Sequence, residues 1–277
     1  MKITKCRNCK NQNLKELFSL GNMSFTGKFP PKGKSIPKGK LTLVMCSKCK
    51  LVQLDRNFNK NYLYGLDYGY RTGINKTMSS HVAQVKNQVI KKLKLKPFDQ
   101  VLDIGSNDAT LLNSYNDKKI IKVGMDPLIK KYNKFYSKID YALPFFFSHK
   151  KIPEKIRKKK FKIITALSMF YDLENPNKFL KSAKKILHEE GILLIEQADL
   201  YLLLKNNVFD TICHEHLEYY STNVIIKMLN QNGLKLFDHK FNKVNGGSSQ
   251  YFICHQNSSL KVNKKNINKA IKFEKTI

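Results

Sequence analysis

Short apolar runs alternate with amphipathic stretches along most of the chain. Apolar positions recur at helical spacing from Val82 to Leu93, which predicts a helix that begins near Met78. Beyond it, six segments predict strands: VLDIG, IIKVGMD, FKIITALSM, GILLIEQ, LKLFDHKF and NGGSSQYFICHQ. The segments PNKFLKSAKKIL and TNVIIKMLNQNG predict helices between them. This alternation predicts an α/β domain built around one sheet.

The composition excludes several other classes of protein. Hydrophobic residues make up 42% of the 277 residues, no apolar run approaches the ~20 residues that span a bilayer, and the N-terminus lacks a secretory signal. We therefore predict a globular cytoplasmic protein without membrane contact. The net charge of +30 suggests nucleic acid, but only four residues are arginines, and the lysines are spread over the whole chain. We interpret the lysine-rich run at 150–162 as a solvated connection, and the positive field as favouring a phosphorylated substrate.

Two C-x-x-C pairs stand in the first sixty residues. Cys6 and Cys9 form one pair, and Cys46 and Cys49 form the other. Each pair brings two sulfurs to one side of a turn, so that together they supply the four thiolates of a structural zinc site. Redox or isolated thiols are the alternative. We predict a zinc-binding module over residues 1–60 with an inserted loop at GKFPPKGKSIPKGK, followed by a Tyr/Gly-rich linker and helix over 61–95.

Acidic side chains surround the ends of the first two predicted strands of the α/β domain. Gly105 turns the chain after VLDIG, where a glycine lets the backbone approach a ligand closely. Asp103, Asn107 and Asp108 lie beside this turn, and Asp126 follows the next strand, at the distance where an acid binds adenosine ribose hydroxyls. Phosphate-cradling glycine patterns are absent from the sequence, and acids accept from an ammonium group. The combination favours S-adenosylmethionine as the cofactor.

Two histidines flank a glutamate in the segment DTICHEHLEYYS, residues 210–221. His214 and His216 would point to the same side of a strand, and Cys213 precedes them, so metal binding is one interpretation. No third metal ligand is evident nearby. Imidazole titrates near neutral pH, where a general base works best, so proton transfer is the second interpretation and a packing role the third.

The order of these motifs resembles that of a known family. The four cysteines, YGYRTG, DIGSND, CHEH and a final GGS occur in the order found in zinc-containing C-methyltransferases that act on nucleotide-linked keto sugars. The resemblance covers residues 6 to about 249. It implies a class I methyltransferase domain, with a Rossmann-like seven-stranded sheet, over residues 96–257. It also implies a nucleotide-sugar substrate, and a C-terminal domain of which residues 258–277 would be only the start.

The resemblance also implies catalytic roles. In the family, the second histidine of the H-E-H segment removes a proton next to a ketone, and the enolate attacks the methyl group of S-adenosylmethionine. That role falls on His216, with Glu215, His214 and Tyr171 assisting. Tyr171 occupies the place of a family histidine, and Cys213 replaces a tyrosine that would hydrogen-bond the keto oxygen. An acidic neighbour such as Glu215 could orient the imidazole ring.

The predicted methyl-donor site extends beyond the first loop. Tyr70 of YGYRTG and Ser168 join Asp103, Gly105, Asn107, Asp108 and Asp126, and Ala109 replaces a family glycine in the loop. We expect a monomer or weak dimer, and we do not expect nucleic acid to be a partner. Two alternatives stay open: a methyltransferase that acts on oxygen or nitrogen of another small molecule, and a non-catalytic zinc-ribbon protein that binds nucleic acid.

Overall fold

The protein is described by a computed structural model that covers residues 1–27, 32–65, 67–117 and 119–276. The strands are β1 (Leu14–Ser24), β2 (Lys38–Cys46), β3 (Val52–Leu54), β4 (Gln100–Ile104), β5 (Ile121–Met125), β6 (Tyr141–Leu143), β7 (Phe161–Leu167), β8 (Leu187–Ala198), β9 (Glu218–Tyr219), β10 (Leu234–Asn242) and β11 (Ser248–His255). The α-helices are α1 (Lys60–Leu63), α2 (Lys76–Lys92), α3 (Thr110–Asn113), α4 (Ile129–Tyr132), α5 (Glu154–Lys159), α6 (Pro176–Ile186), α7 (Leu200–Lys205), α8 (Thr222–Gln231) and α9 (Lys264–Phe273). Short 3-10 turns connect several of them.

The larger sheet has seven strands in the order β10-β11-β8-β7-β4-β5-β6. The pairs among β8, β7, β4, β5 and β6 are parallel, and β11 runs antiparallel to both of its neighbours. Every residue of β4 is buried, as expected for a central parallel strand covered on both faces. This arrangement confirms the predicted class I methyltransferase fold with its Rossmann-like, mostly parallel sheet.

The predicted elements occur in the predicted order, with differences at their ends. The turn at Gly105 leads into a short helix of four residues, α3. Strand β8 begins at Leu187 rather than after Gly191, so it continues directly from α6. The run at 150–162 is not only a solvated connection: it contains α5, whose Ile156 is buried. Lysines outnumber the apolar residues in this run, so its pattern did not reveal that Ile156 anchors the helix.

The smaller sheet joins the zinc module to the methyltransferase domain. Its order is β1-β2-β3-β9, and all of its pairs are antiparallel. Strand β9 follows the H-E-H segment, yet Tyr219 pairs with Val52 and Glu218 pairs with Gln53. The Leu54 amide also donates to the Leu217 carbonyl at 2.9 Å. The last strand of this sheet therefore comes from a segment that lies much later in the sequence than the zinc module.

The inserted loop predicted between the cysteine pairs is the tip of a hairpin. Strands β1 and β2 pair over most of their length, and the predicted loop segment, residues 27–40, overlaps the start of β2. Residues 28–31 of that segment lie outside the described residues. The described part of the loop therefore extends a two-stranded arm from the zinc module.

The segment predicted to begin a further domain packs on the methyltransferase sheet. Helix α9 buries Ile267 and Ala270, and it lies against β10. The carboxylate of Glu274 accepts hydrogen bonds from the Thr222 amide and the Asn223 side chain at the start of α8. A negative charge is favourable at that end of a helix. None of the helices in the described ranges is both long and apolar enough to cross a bilayer.

Candidate functional site

The two C-x-x-C pairs form turns of the same shape. The Lys10 amide donates to the Cys6 carbonyl at 3.1 Å, and the Lys50 amide donates to the Cys46 carbonyl at 3.0 Å. Both lysines adopt positive φ, 62° and 65°, at the residue that directly follows the second cysteine of the pair. The repeated turn places the two sulfurs of each pair on one side.

The four sulfurs meet in one cluster. The ligand atoms of Cys6, Cys9, Cys46 and Cys49 lie within 4.8 Å of one another. Cys6 and Cys49 are 3.6 Å apart at sulfur, and Cys9 and Cys46 are 3.5 Å apart. Sulfurs of a tetrahedral zinc thiolate site are separated by about 3.8 Å, so the donor set fits Zn²⁺. Neither His214 nor His216 belongs to such a cluster in the part of the chain that the structure describes.

A cavity of about 420 Å³ lies at the carboxyl ends of β4, β5 and β7. Ligands of open α/β folds bind at this edge of the sheet. Six predicted donor-site residues line the cavity, namely Tyr70, Asp103, Gly105, Asn107, Asp126 and Ser168. From the predicted catalytic set, His214 and Glu215 line it as well. Asp108, Tyr171 and His216 lie outside this lining.

Backbone geometry shapes the part of the cavity that lies at the ends of β4 and β5. Gly105 has φ 73°, and a Cβ there would lie 3.2 Å from Cγ of Met169, so glycine suits both the turn and the space. The Asp126 carboxylate accepts from the Asn107 amide at 2.9 Å and from the Leu128 amide at 2.7 Å. A carboxylate has about four acceptor positions, which leaves some for ribose hydroxyls. Burial raises the pKa of Asp126.

Asp103 and Ser168 are held by the neighbouring central strands. The Thr165 hydroxyl donates to Asp103 Oδ1 at 2.6 Å, and burial raises the pKa of Asp103 to about 7. Ser168 has φ 50°, and its amide donates to the Glu196 carbonyl at 2.8 Å. Asp103, inside β4, and Ser168, directly after β7, are therefore fixed at the cavity edge by contacts within the sheet.

The YGYRTG segment is attached to the loop after β4. Asn107 Oδ1 accepts from the Thr72 amide at 2.9 Å, and its side-chain amide donates to the Tyr70 carbonyl at 3.3 Å. Asp108 Oδ2 accepts from the Gly73 amide at 2.9 Å. Asp108 was predicted to face the donor, but its carboxylate instead holds this segment. The two motifs thus form one wall of the cavity.

His214 is fixed inside the zinc module. Its fully buried ring lies 4.5 Å from the Phe25 ring and 4.8 Å from the Phe58 ring, centroid to centroid. Nε2 lies 3.1 Å from the Gly39 carbonyl, which can only accept, so this nitrogen carries the hydrogen. Burial lowers the pKa of His214 and favours the neutral ring. These contacts anchor the H-E-H segment to the hairpin of β1 and β2.

His216 is oriented by a backbone carbonyl. Its Nδ1 lies 2.8 Å from the Thr211 carbonyl oxygen, so Nδ1 carries the hydrogen and Nε2 of the neutral ring keeps a free lone pair. The Tyr171 ring packs against the imidazole at 4.2 Å. The Glu215 carboxylate accepts from the Thr26 hydroxyl. Thr211, rather than the Glu215 expected from the sequence, therefore makes the hydrogen bond that orients the ring.

Asp172 is a cavity residue that the sequence did not single out. It follows Tyr171 in the 3-10 turn after β7, and it lines the cavity. Burial raises the pKa of Asp172 to about 8, and the nearby His216 partly opposes this rise. The only signal in the sequence is an acid next to Tyr171, which is indistinguishable from a surface aspartate without the tertiary packing.

Two sequence families match the chain. Residues 6–64 match a zinc-binding domain family, and residues 48–239, more than half of the chain, match a methyltransferase domain family. The chain belongs to this methyltransferase domain family. It is 25% identical over 257 residues to the C-methyltransferase NovU of Streptomyces niveus, covering 90% of this chain and 60% of that protein. The chain thus spans about three fifths of the length of this curated relative.

Solved structures support the fold. The PH0226 protein of Pyrococcus horikoshii matches with a TM-score of 0.53 and 14% identity, over 72% of this chain and 100% of that one. An S-adenosylmethionine-dependent methyltransferase of Clostridium acetobutylicum matches with a TM-score of 0.50 and 15% identity, over 64% of this chain and 92% of that one. Both are similar in the arrangement of the sheet and its helices.

Proposed function

We propose that the chain is an S-adenosylmethionine-dependent C-methyltransferase that methylates a carbon next to a ketone in a nucleoside-diphosphate sugar. One observation carries the proposal. The strand ends predicted to bind the methyl donor and the H-E-H segment line the same cavity, through Gly105 and Asp126 on one side and Glu215 on the other. The similarity to a C-methyltransferase supports transfer to carbon.

His216 is the proposed base. Its Nε2 lone pair takes the proton from the carbon next to the ketone, and the hydrogen bond from Nδ1 to the Thr211 carbonyl stabilises the imidazolium that results. The electron pair of that C–H bond becomes the enolate. S-adenosylmethionine, when bound, supplies the methyl group, so that a carbon–carbon bond forms as the sulfur–methyl bond breaks. Residues at the donor end, above all Gly105 and Asp126, would hold it.

A basic groove beside the cavity supports a phosphorylated substrate. This concavity of about 440 Å³ is lined by Lys10, His149, Asn175, Asn177, Lys178, Lys181, Ser182 and Lys185. Three of these, Asn175, Lys178 and Ser182, also line the main cavity, so the two are continuous. None of the described residues that line the groove is acidic. Burial, then nearby cations led by Lys185, lower the pKa of His149, which indicates a positive field.

A labelled-methyl experiment tests the proposal. The chain would be incubated with ¹³C-methyl S-adenosylmethionine and a panel of nucleoside-diphosphate keto sugars, and NMR would show a new carbon–carbon bond. His216→Ala should lose turnover and keep S-adenosylhomocysteine binding, whereas His188→Ala, a histidine outside the cavity, should keep both. Methyl transfer to oxygen or nitrogen would overturn the C-methyltransferase assignment. If the chain does not bind S-adenosylhomocysteine but binds nucleic acid with an affinity that falls as salt rises, the zinc-ribbon alternative would be favoured.

We further propose that zinc in the four-cysteine site is structural, because four thiolates leave no open coordination position. Metal analysis of the purified chain should find one zinc ion, and Cys46→Ser should lose it. We also propose that the chain acts in the cytoplasm as a monomer or weak dimer, which light scattering would test for the assembly.

A further inference from the structure

Two unpartnered polar oxygens face the cavity. The Tyr64 hydroxyl and Asp172 Oδ1 are both buried and have no hydrogen-bond partner, and both residues line the cavity. The other buried side-chain atom of this kind among the described lining residues is His214 Nδ1, which is an acceptor because Nε2 carries the hydrogen. Buried polar groups are normally hydrogen-bonded, so an unpaired set in a cavity indicates a missing ligand atom.

The pair lies on the His216 side of the cavity. Tyr64 directly follows helix α1, and Asp172 is the last residue of the 3-10 turn after β7. Asp172 directly follows Tyr171, whose ring contacts the His216 imidazole at 4.2 Å. Tyr64 and Asp172 are close enough to shift each other's pKa. One ligand atom placed between them could therefore meet both groups next to the proposed base.

The surroundings keep both groups neutral near pH 7. Burial is the main cause that raises the pKa of Asp172 to about 8, Glu215 also raises it, and the nearby His216 and Tyr64 side chains lower it. Burial also raises the pKa of Tyr64 well above its ordinary value. The other titratable groups that face Asp172 are Tyr68, Tyr171, Cys213, Glu218 and Tyr219, and burial raises the pKa of each. A neutral carboxylic acid and a neutral phenol both donate hydrogen bonds.

We propose that Tyr64 and Asp172, the latter as its carboxylic acid, donate hydrogen bonds to the oxygen of the substrate enolate. This inference rests on the proposed function. When His216 takes the proton from carbon, the electron pair of the C–H bond delocalises onto the ketone oxygen, where the two donors stabilise the charge. The carbonyl re-forms as carbon bonds to the methyl group. Tyr64 and Asp172 keep their protons throughout, so the step needs no further reactant.

An oxyanion probe tests the pair without knowledge of the sugar. Para-nitrophenol absorbs differently as phenol and as phenolate, and it would be titrated into the chain saturated with S-adenosylhomocysteine. The wild type should bind it as phenolate near neutral pH. Tyr64→Phe and Asp172→Leu should each weaken that binding by about tenfold or more, because each removes a hydrogen bond to a charged oxygen. Asp172→Asn keeps a neutral donor and should retain most of the affinity.

The pH dependence separates this role from packing. Asp172 donates only while protonated, so affinity for the phenolate form should fall in the wild type as pH rises through about 8. Asp172→Asn should show no such fall. Tyr115→Phe is the matched control, since the Tyr115 hydroxyl is also buried and unpartnered but lies outside the cavity lining. S-adenosylhomocysteine binding in each variant verifies that it is folded.

Three results would overturn the pair: no probe binding to the wild type, binding of the probe as the neutral phenol, or phenolate affinities of Asp172→Leu and Tyr64→Phe equal to that of the wild type. Turnover of a keto sugar adds a second readout, in which Asp172→Leu should lower kcat by about a hundredfold. Failure to methylate any keto sugar, with normal phenolate binding, would contradict the proposed function and leave the oxyanion site in place. Normal methylation by Asp172→Leu would contradict only the pair.

Discussion

Asn107→Gly is the sharpest test of the donor site, because it removes a side chain without straining the backbone. Asn107 has φ 49°, a conformation that glycine adopts freely. The substitution deletes the hydrogen bonds to the Thr72 amide and the Tyr70 carbonyl. Tyr70 and Thr72 both line the cavity, so the change acts on its wall.

The expected magnitude follows from those two bonds. Each hydrogen bond contributes about 0.5–1.5 kcal/mol, so the substitution should weaken the attachment of the YGYRTG segment to the loop after β4 by about 1–3 kcal/mol. If donor binding needs the wall ordered, the affinity for S-adenosylhomocysteine should fall by about five- to a hundredfold, since about 1.4 kcal/mol corresponds to tenfold. The hydrogen bond from the Gly73 amide to Asp108 stays in place, so the loss of affinity should lie near the lower end of this range.

Calorimetric titration with S-adenosylhomocysteine measures this loss, and limited proteolysis reports release of residues 67–75. Asn207→Gly is the matched control: Asn207 has φ 53°, is exposed and lies in the turn after α7, away from the cavity. It should bind the ligand like the wild type. Faster cleavage of the segment in Asn107→Gly with unchanged affinity would refute a role of YGYRTG in the donor site.

Three further predictions concern the zinc module, the aromatic cage that Phe25 and Phe58 form around His214, and the basic groove. Chelation of zinc should abolish turnover but preserve S-adenosylhomocysteine binding. The reason is that β9, which follows the H-E-H segment, pairs with β3 of the zinc module. Turnover by the metal-free chain would contradict this link between the module and the proposed base. Gly39→Ala should lower the free energy of unfolding, measured by urea denaturation, by about 1–3 kcal/mol, since a Cβ there would lie 2.5 Å from Phe25 Cε1. An unchanged midpoint of unfolding would mean that the aromatic cage relaxes around the added methyl group. Joint Lys181→Gln and Lys185→Gln should raise KM for the nucleotide sugar about tenfold with kcat unchanged, whereas Lys130→Gln on α4 should leave KM unaltered. Equal KM values would exclude the groove.

Local patterns in the sequence were sufficient for six strands of the seven-stranded sheet and for the helices α2, α6 and α8. The helical spacing of Val82, Val85 and Val89 predicted α2, and these three valines are its buried residues. The six predicted strands all lie in the seven-stranded sheet. Periodicity and turn residues depend on contacts a few positions apart, so one sequence suffices to read them. Strand β6 has only three residues, Tyr141–Leu143, too few for a pattern.

The meeting of the candidate donor residues at one cavity was predictable because parallel strands share an edge. Gly105 and Asp126 follow adjacent parallel strands, so the fold brings them together once the strands are recognised. The attachment of Thr72 to Asn107 was not predictable, since it joins side chain and backbone across 35 positions. Asp172 was missed for a related reason: its raised pKa comes from burial by distant segments, which no local spacing encodes.

The cysteine spacing, the apolar periodicity and the H-E-H segment of the sequence predicted the zinc module, the sheet and the candidate base. Only the tertiary structure decided how these parts meet. Strand β9 has two residues, and its partners Val52 and Gln53 lie more than 160 positions earlier. The partner of a short strand is selected by backbone hydrogen bonds and by packing around His214, not by its own residue pattern. The placement of His216 beside the cavity is therefore a property of the assembled fold.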